Sequence, residues 1–507
     1  MNLIKFLYTW LRRLPWKFTL SFFLMMLIWL FIVSAVLNFF ALRTISDAIL
    51  KLLLPSFLKQ VEGTGFAGYL YAPIPVFFEG LVALIILFSG ILLSYNFAGW
   101  FYRKYRHSIK IQAHDPVPPL PGSGKMFEEF MQKRGLKELR IGLILAGGGA
   151  KGAYQAGALK AIYEFLEQNN VLDKVKMISG TSIGSWNSMF WLAGLIKSPG
   201  NGQMSAHEKW WRSVEIKQVI EFADYLPLVK NYFLYSTPWR ESFKAVFMDT
   251  GTVKKALMDN LFKNPEDSIH FYLTRSNVES GRLEFATNNS KLPKMTRTKW
   301  RGGSKAGTEA IVPRSDYELI EDKNNTDVLE RLKVAVFASM DLPPLFPYMF
   351  IDREWFEDGG VVDNLPLRFA TGIEQCNLLF VLPLNASFYA SVDQKSVMKR
   401  LFRVMEVRQG VLERDSMKLT RLYNEKARLK NPKTPALVSV FAICPNQPLG
   451  IGTAEFWKTK EAGEAFDLMY SATKNELQEN FLEATNPDWL RMALVSPLGE
   501  ITYRDDF

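Results

Sequence analysis

Hydrophobic and polar positions alternate in three different rhythms along this chain. Near the N-terminus, Phe18–Leu42 and Gly80–Tyr102 carry no charged side chain and consist mainly of Phe, Leu, Ile, Met, Val and Trp. At about 1.5 Å of rise per residue, each is long enough as a helix to cross a hydrocarbon layer of roughly 30 Å. Trp16, Trp100, Phe101 and Tyr102 gather at the ends, where rings favour the headgroup region. Residues 1–110 therefore read as a membrane segment with two spanning helices, about 18–42 and 80–102. The Ile45–Val61 stretch between them fits either a helix lying on the far membrane surface or an ordinary loop helix.

After this the rhythm changes. Residues 111–139 form a linker centred on the Pro- and Gly-rich His114–Lys125. Its Gly-Ser-Gly-Lys ending is not a phosphate-binding loop, because Pro119 stands where the first glycine is required and no apolar strand precedes it. From Arg140 onward, short apolar runs alternate with helical periodicity. Ile141–Ala146 suits a buried strand, Ala153–Gln168 a helix, Val175–Ser179 a second strand, and the residues through Leu195 a second helix. Two strand–turn–helix units in succession predict parallel strands with crossover helices, an α/β fold. His270–Arg275 and Arg282–Thr287 read as adjacent strands around Ser280-Gly281, and residues 290–325 as a polar insertion. The expected catalytic domain is 140–372. Residues 373–507 form a mainly helical extension packed on it, with long helices over Ser396–Lys430 and Lys458–Leu482.

The formal charge of +10 suggests a polyanion partner only until it is located. Within 1–110, Lys5, Arg12, Arg13, Lys17, Arg43, Lys51, Lys59, Arg103, Lys104, Arg106 and Lys110 face only Asp47, Glu62 and Glu79. The excess thus flanks the apolar segments and does not build a nucleic-acid surface. Its concentration before the first span and after the second puts both termini and the large C-terminal domain in the cytoplasm. Arg400, Arg403, Arg408 and Lys418 on the long helix face either anionic lipid or solvent. Two cysteines, Cys376 and Cys444, cannot make a disulfide framework, and no two of the four histidines stand at zinc-ligand spacing. No metal or other cofactor is expected.

Three glycine-rich elements carry candidate chemistry. Gly180-Thr181-Ser182-Ile183-Gly184 is a G-x-S-x-G sequence at a strand-to-helix junction, where a tight turn presents the serine oxygen. The helix that follows aims its free N–H groups at the same place. Gly147-Gly148-Gly149-Ala150-Lys151-Gly152 lets backbone N–H groups approach an oxyanion closely. It also satisfies the dinucleotide pattern G-x-G-x-x-G, with Asp173 about 20 residues on, so that reading stays open from this loop alone. Asp358-Gly359-Gly360 supplies a carboxylate fit to act as general base if the fold brings it to the serine.

In this order, and with Ala338-Ser339-Met340-Asp341-Leu342-Pro343 preceding the aspartate, the elements resemble the patatin-like phospholipase family over roughly residues 141–372. The resemblance implies a three-layer α/β/α sandwich with a mostly parallel central sheet. It also implies hydrolysis of fatty-acyl esters in phospholipids or lysophospholipids through a serine–aspartate dyad without histidine. Carried over, Ser182 is the nucleophile and Asp358 the base. The oxyanion hole draws on Gly147, Gly148, Gly149, Gly152 and Ile183, while Lys151, Gly180, Gly184, Gly359 and Gly360 support the motifs. Lys151 holds the family's usual basic position, although a first-turn lysine is ordinarily solvated. Asp341 stands where the family usually has a small or apolar residue, and Ile183 is bulkier than the small residue often found after the nucleophile; both bear on substrate preference. The expected partner is membrane lipid, as substrate and as the phase that holds the anchor; no protein partner is indicated.

Overall fold

A computed structural model describes residues 113–505 except 121, 201, 223–231, 233, 265–266, 293–295, 302–309, 316, 322–327, 386–396 and 430–436; before 113 it describes 21–26, 28–29 and 88–98. The chain divides into two compact units, residues 1–108 with 221–235, and residues 109–220 with 236–507. In the first, 21–26, 28–29 and 88–98 are helical. A side-chain carbon on Gly90 would fall 1.9 Å from Trp29 Cδ1, so these helical pieces touch there. Among the described residues no helix is long and apolar enough to cross a membrane. The expected spans 18–42 and 80–102 lie mostly outside the described residues, as does the 45–61 loop.

The second unit is built on an eleven-stranded sheet. Its strands in chain order are β1 (Ile141–Leu145), β2 (Val175–Gly180), β3 (His270–Asn277), β4 (Arg282–Thr287), β5 (Tyr317–Leu319), β6 (Met349–Ile351), β7 (Glu354–Asp358), β8 (Leu378–Leu382), β9 (Ser439–Pro445), β10 (Met492–Val495) and β11 (Ile501–Arg504). Along the sheet the order is β6-β7-β3-β2-β1-β8-β9-β10-β11, with β4 joining β3 and β5. The central pairs β3/β2, β2/β1, β1/β8, β8/β9 and β9/β10 are parallel, whereas both margins are antiparallel.

Every residue of β1, β8 and β9 is buried, as expected of strands covered on both faces. Successive side chains enter different cores: Leu143, Leu145, Phe380 and Phe441 pack into one, Ile144, Val381, Val440 and Ala442 into the other. The first core is covered by α2 (Gly152–Gln168), α3 (Ile183–Leu192), α4 (Val328–Met340) and α6 (Thr459–Glu479), and also takes in Phe127 and Phe130 of α1 (Lys125–Arg134). The second receives Phe369, Leu490 and, from α5 (Val397–Arg428), Met417. This is the three-layer arrangement the sequence predicts.

One boundary moves. The sheet does not end at 372, because β8 pairs with β1 across Ile141↔Leu378 to Leu145↔Leu382, and three further strands continue outward. Residues 373–507 are thus part of the sandwich and not a helical extension. Their strands are short and separated by long helical periodicities, which dominate a reading along the chain. Within 290–325, Thr296–Arg301 and Ala310–Ser315 form a separate antiparallel pair, and β5 joins β4.

Candidate active site

The sheet register places the two candidate catalytic residues together. β3 runs beside β2 as far as Gly180↔Leu273. There β2 ends and the chain turns into α3, freeing the edge of β3, which β7 occupies from the opposite direction with Asp358↔Arg275. Ser182 and Asp358 therefore meet at the carboxyl end of the parallel strands, where open α/β sheets carry their ligand sites.

The turn between β2 and α3 is strained. Ser182 has φ 53° and ψ −123°, an unfavourable conformation for a residue with a side chain. The flanking glycines permit it by close approach: a carbon on Gly184 would lie 2.3 Å from Leu145 O, and one on Gly180 2.7 Å from the Gly184 carbonyl carbon. The Ser182 N–H donates to Ser339 Oγ at 2.9 Å, and Ser185 Oγ donates to the same oxygen at 2.8 Å. Ser339, from the end of α4, thereby fixes the elbow.

Asp358 is 1% exposed and lies near enough to the Ser182 side chain for the hydroxyl to favour its ionised form. The Gly360 N–H donates to its Oδ1 at 2.7 Å, and Ser276 Oγ holds its backbone carbonyl at 2.9 Å. Burial pushes its carboxyl up to about 7, against the opposing pull of the Ser182 hydroxyl and the Gly360 N–H; Asp341 and Glu357 add to the rise. Neighbouring Asp341 is pushed up to about 6 by burial, though Arg240 Nη2 donates to it at 2.9 Å and Ser236 Oγ at 3.2 Å. The unusual aspartate is thus an ion-paired partner whose backbone carbonyl accepts from the Asp358 N–H at 3.2 Å.

The glycine-rich loop passes beside the serine, since a carbon on Gly147 would sit 2.9 Å from Ser182 Cβ. Its N–H groups divide into two sets. That of Gly147 donates to Asn364 O at 3.3 Å, and that of Gly152 turns back to Gly149 and Ala150. These two, expected among the oxyanion donors, are already engaged. Among the described residues no partner is recorded for the N–H groups of Gly148, Gly149 and Ile183. Gly149 has φ +59°, and a side-chain carbon there would fall 2.0 Å from Thr453 O, which also accepts the Ala150 N–H at 2.8 Å. Ile183 is buried with its Cγ1 against Gly152.

Lys151 is not the solvated first-turn lysine that its type suggests. It is 2% exposed, and its Nζ donates to Asn385 Oδ1 at 2.9 Å and Glu406 Oε1 at 3.3 Å. Glu413, about two turns further along the same face of α5, accepts from Asn364 and Asn385 at 2.6 Å each, while Asn364 also donates to Gly147 O at 3.1 Å. The Glu413 carboxyl is pushed up to about 7 by burial, against those hydrogen bonds and Lys151. Helix α5 is thus tied to the glycine loop and to the segment after Asp358. Sequence reasoning missed Ser339, Asn364, Glu406 and Glu413 as site residues. Ser339 lies inside the recognised Ala338–Pro343 stretch and Asn364 shortly after the Asp358-Gly359-Gly360 element, but nothing local marks two glutamates on a distant helix.

Among the described residues no histidine joins the pair. His207, buried and pushed down to about 3 by desolvation, contacts Asn187 Oδ1 at 3.0 Å, and His270 contacts Glu374. Among the described residues no group of three His, Cys, Asp or Glu is arranged to hold a metal. The dinucleotide reading loses its acidic residue: Asp173 precedes β2, so the length of that strand separates it from the glycine loop, and it pairs with Lys174 at 2.7 Å.

No match is found among curated proteins. Among solved structures, the crystal structure of VipD from Legionella pneumophila is similar over 68% of this chain and 67% of its own, at 13% identity and a TM-score of 0.31. Residues 143–371 match the model of the Patatin family, described as patatin-like phospholipase. The chain thus carries a patatin-like phospholipase domain over those residues and is an enzyme of the lipid acyl hydrolase class.

Proposed function

We propose that this protein is a membrane-anchored serine lipid acyl hydrolase that cleaves fatty-acyl esters of phospholipids or lysophospholipids through Ser182 and Asp358. The observation that supports the dyad is the convergence of a strained, glycine-flanked serine and a fully buried carboxylate whose protonation the serine side chain influences. In its ionised form Asp358 accepts the Ser182 proton as Oγ attacks the ester carbonyl. The Gly148, Gly149 and Ile183 N–H groups hold the oxygen that becomes negative, helped by the N-terminal end of α3. Collapse of the tetrahedral intermediate expels the alcohol, which takes the proton from Asp358. Water then gives a proton to Asp358 and attacks the acyl-enzyme, releasing the fatty acid and restoring Ser182. No step calls for a metal or cofactor.

The anchoring reading rests on the charge-free 18–42 and 80–102 segments and on the contact of Gly90 with Trp29, since close approach at small residues is how membrane helices pair. With basic residues at the outer flanks, the hairpin leaves both termini and the catalytic domain in the cytoplasm. Tethering confines the site to a leaflet and raises the effective substrate concentration. The test is fatty-acid release from mixed phospholipid and lysophospholipid micelles by the purified full chain, beside Ser182→Ala and Asp358→Asn. Loss in both folded variants supports the dyad, and activity retained by Ser182→Ala refutes it.

A further inference from the structure

Helix α5 is inverted relative to the usual globular helix, which buries an apolar stripe and wets a polar one. Its fully covered positions are Glu406, Gln409, Glu413, Met417, Thr420 and Asn424, three or four residues apart on one face and polar but for Met417. Hydrogen bonds dock this face. Glu406 meets Lys151 and Thr453, Glu413 meets Asn364 and Asn385, and Asn424 bonds both the N–H and the C=O of Val438 at 2.8 Å. The aliphatic side chains Leu401, Val404, Val407, Val411, Leu419 and Leu422 are therefore left outside, Val404 and Leu419 at 66% and 67% exposure. Arg400, Arg408, Arg414, Lys418 and Arg421 stand on the same exposed surface, against Asp415 and Glu425.

A second exposed apolar group lies on the hairpin that delivers the catalytic carboxylate. Phe350 of β6 and Trp355 of β7 are exposed with ring centroids 4.7 Å apart. Just beyond β7, a side-chain carbon on Gly360 would fall 3.1 Å from Gln409 Nε2 of α5. The strand that carries Trp355 thus leads through Asp358 to α5.

We propose that the outer face of α5, with the Phe350–Trp355 hairpin, docks on an anionic lipid surface and so presents the Ser182–Asp358 site to its substrate leaflet. The proposal rests on the reading of that site as the lipid-hydrolysing centre. Aliphatic side chains among basic ones, flanked by a Trp–Phe pair, are the composition of an element lying in the interface of an anionic membrane. A second copy fits less well, because a two-fold contact would bring the same cationic face against itself.

Both native cysteines are buried, so single probes can be introduced. The full chain carrying Val404→Cys or Val411→Cys, labelled with an environment-sensitive fluorophore, is reconstituted into phosphatidylcholine vesicles with and without phosphatidylglycerol. Lipids brominated on the acyl chains serve as quenchers, and Lys460→Cys on α6 is the control. Docking predicts quenching and a blue shift at 404 and 411, stronger with phosphatidylglycerol, and neither at 460. Quenching no greater than the control overturns the proposal. So does shielding already complete in detergent, or shielding that follows protein concentration instead of lipid, since another part of the chain or a second copy then covers the face. In parallel, Val404→Asp with Leu422→Asp lowers hydrolysis of vesicle lipid at least about tenfold and keeps hydrolysis of a soluble short-chain nitrophenyl ester within about twofold. An equal rate on vesicles overturns docking. A parent inactive even on the soluble ester refutes the dyad, and the quenching still decides docking.

Discussion

Replacing Asp358 by Asn separates the demands of chemistry from those of folding. The carboxyl is 1% exposed and pushed from 3.8 up to about 7. Between these values the folded chain holds a proton that the unfolded chain has released, so stability falls as pH rises through the window and levels off above about 7. At roughly 1.4 kcal/mol per unit, taking the group from pH 5 to pH 8 costs the folded state about 2–3 kcal/mol. Asparagine keeps the shape and an acceptor for the Gly360 N–H without the charge. Asp358→Asn should therefore gain about 2–3 kcal/mol on the parent between pH 5 and pH 8, a relative rise in Tm of about 3–6 °C. Over the same range it loses hydrolytic rate by about a hundredfold or more, as expected when a general base is removed. Thermal unfolding of both proteins in matched detergent at the two pH values, with parallel turnover assays, measures this. A Tm difference that is independent of pH, or that favours the parent at pH 8, would refute the account of a carboxylate held ionised against desolvation.

Other consequences follow from the same contacts. The parent's hydrolytic rate should rise with pH through about 7 as Asp358 loses its proton, and the acid limb should move to lower pH in Asp341→Asn, read from kcat/KM profiles. Gly149→Ala forces a side chain into a positive-φ position against Thr453 O, and should cost about 2 kcal/mol or more of stability and at least about tenfold in kcat as the N–H is displaced. Breaking the buried Lys151–Glu406 pair by Glu406→Ala should destabilise by about 3 kcal/mol or more, and the double change Lys151→Met with Glu406→Leu should recover much of it, as a thermal double-mutant cycle would report.

Much of the site could be read from sequence because its constraints are local. The elbow at Ser182 needs glycine on either side, Gly184 for close approach to the Leu145 carbonyl and Gly180 for approach to the Gly184 backbone, the oxyanion loop needs backbone without side chains, and the Asp358 turn uses the Gly360 N–H. Each leaves its mark within a few residues. The part that was not legible depends on contacts distant in sequence. The buried Lys151 has a partner some 250 residues away, on a helix whose apolar residues face outward. Periodicity alone would have buried Val404 and Val411 and solvated Glu406 and Glu413, the reverse of the structure. The engaged N–H of Gly147 likewise depends on where Asn364 comes to lie. The strands of 378–382, 439–445 and 492–495 escaped notice because each is short beside the long helical patterns between them.

The central claim is that Ser182, activated by Asp358, is the nucleophile, and covalent capture tests it most directly. The detergent-solubilised full chain is treated with a fluorophosphonate probe, and the modified peptide is located by mass spectrometry across a range of pH. The account predicts one adduct on Ser182, forming faster as pH rises through about 7 and greatly slowed in Asp358→Asn. An adduct on another residue, no adduct on a folded protein that hydrolyses ester, or an unchanged rate in Asp358→Asn would contradict it.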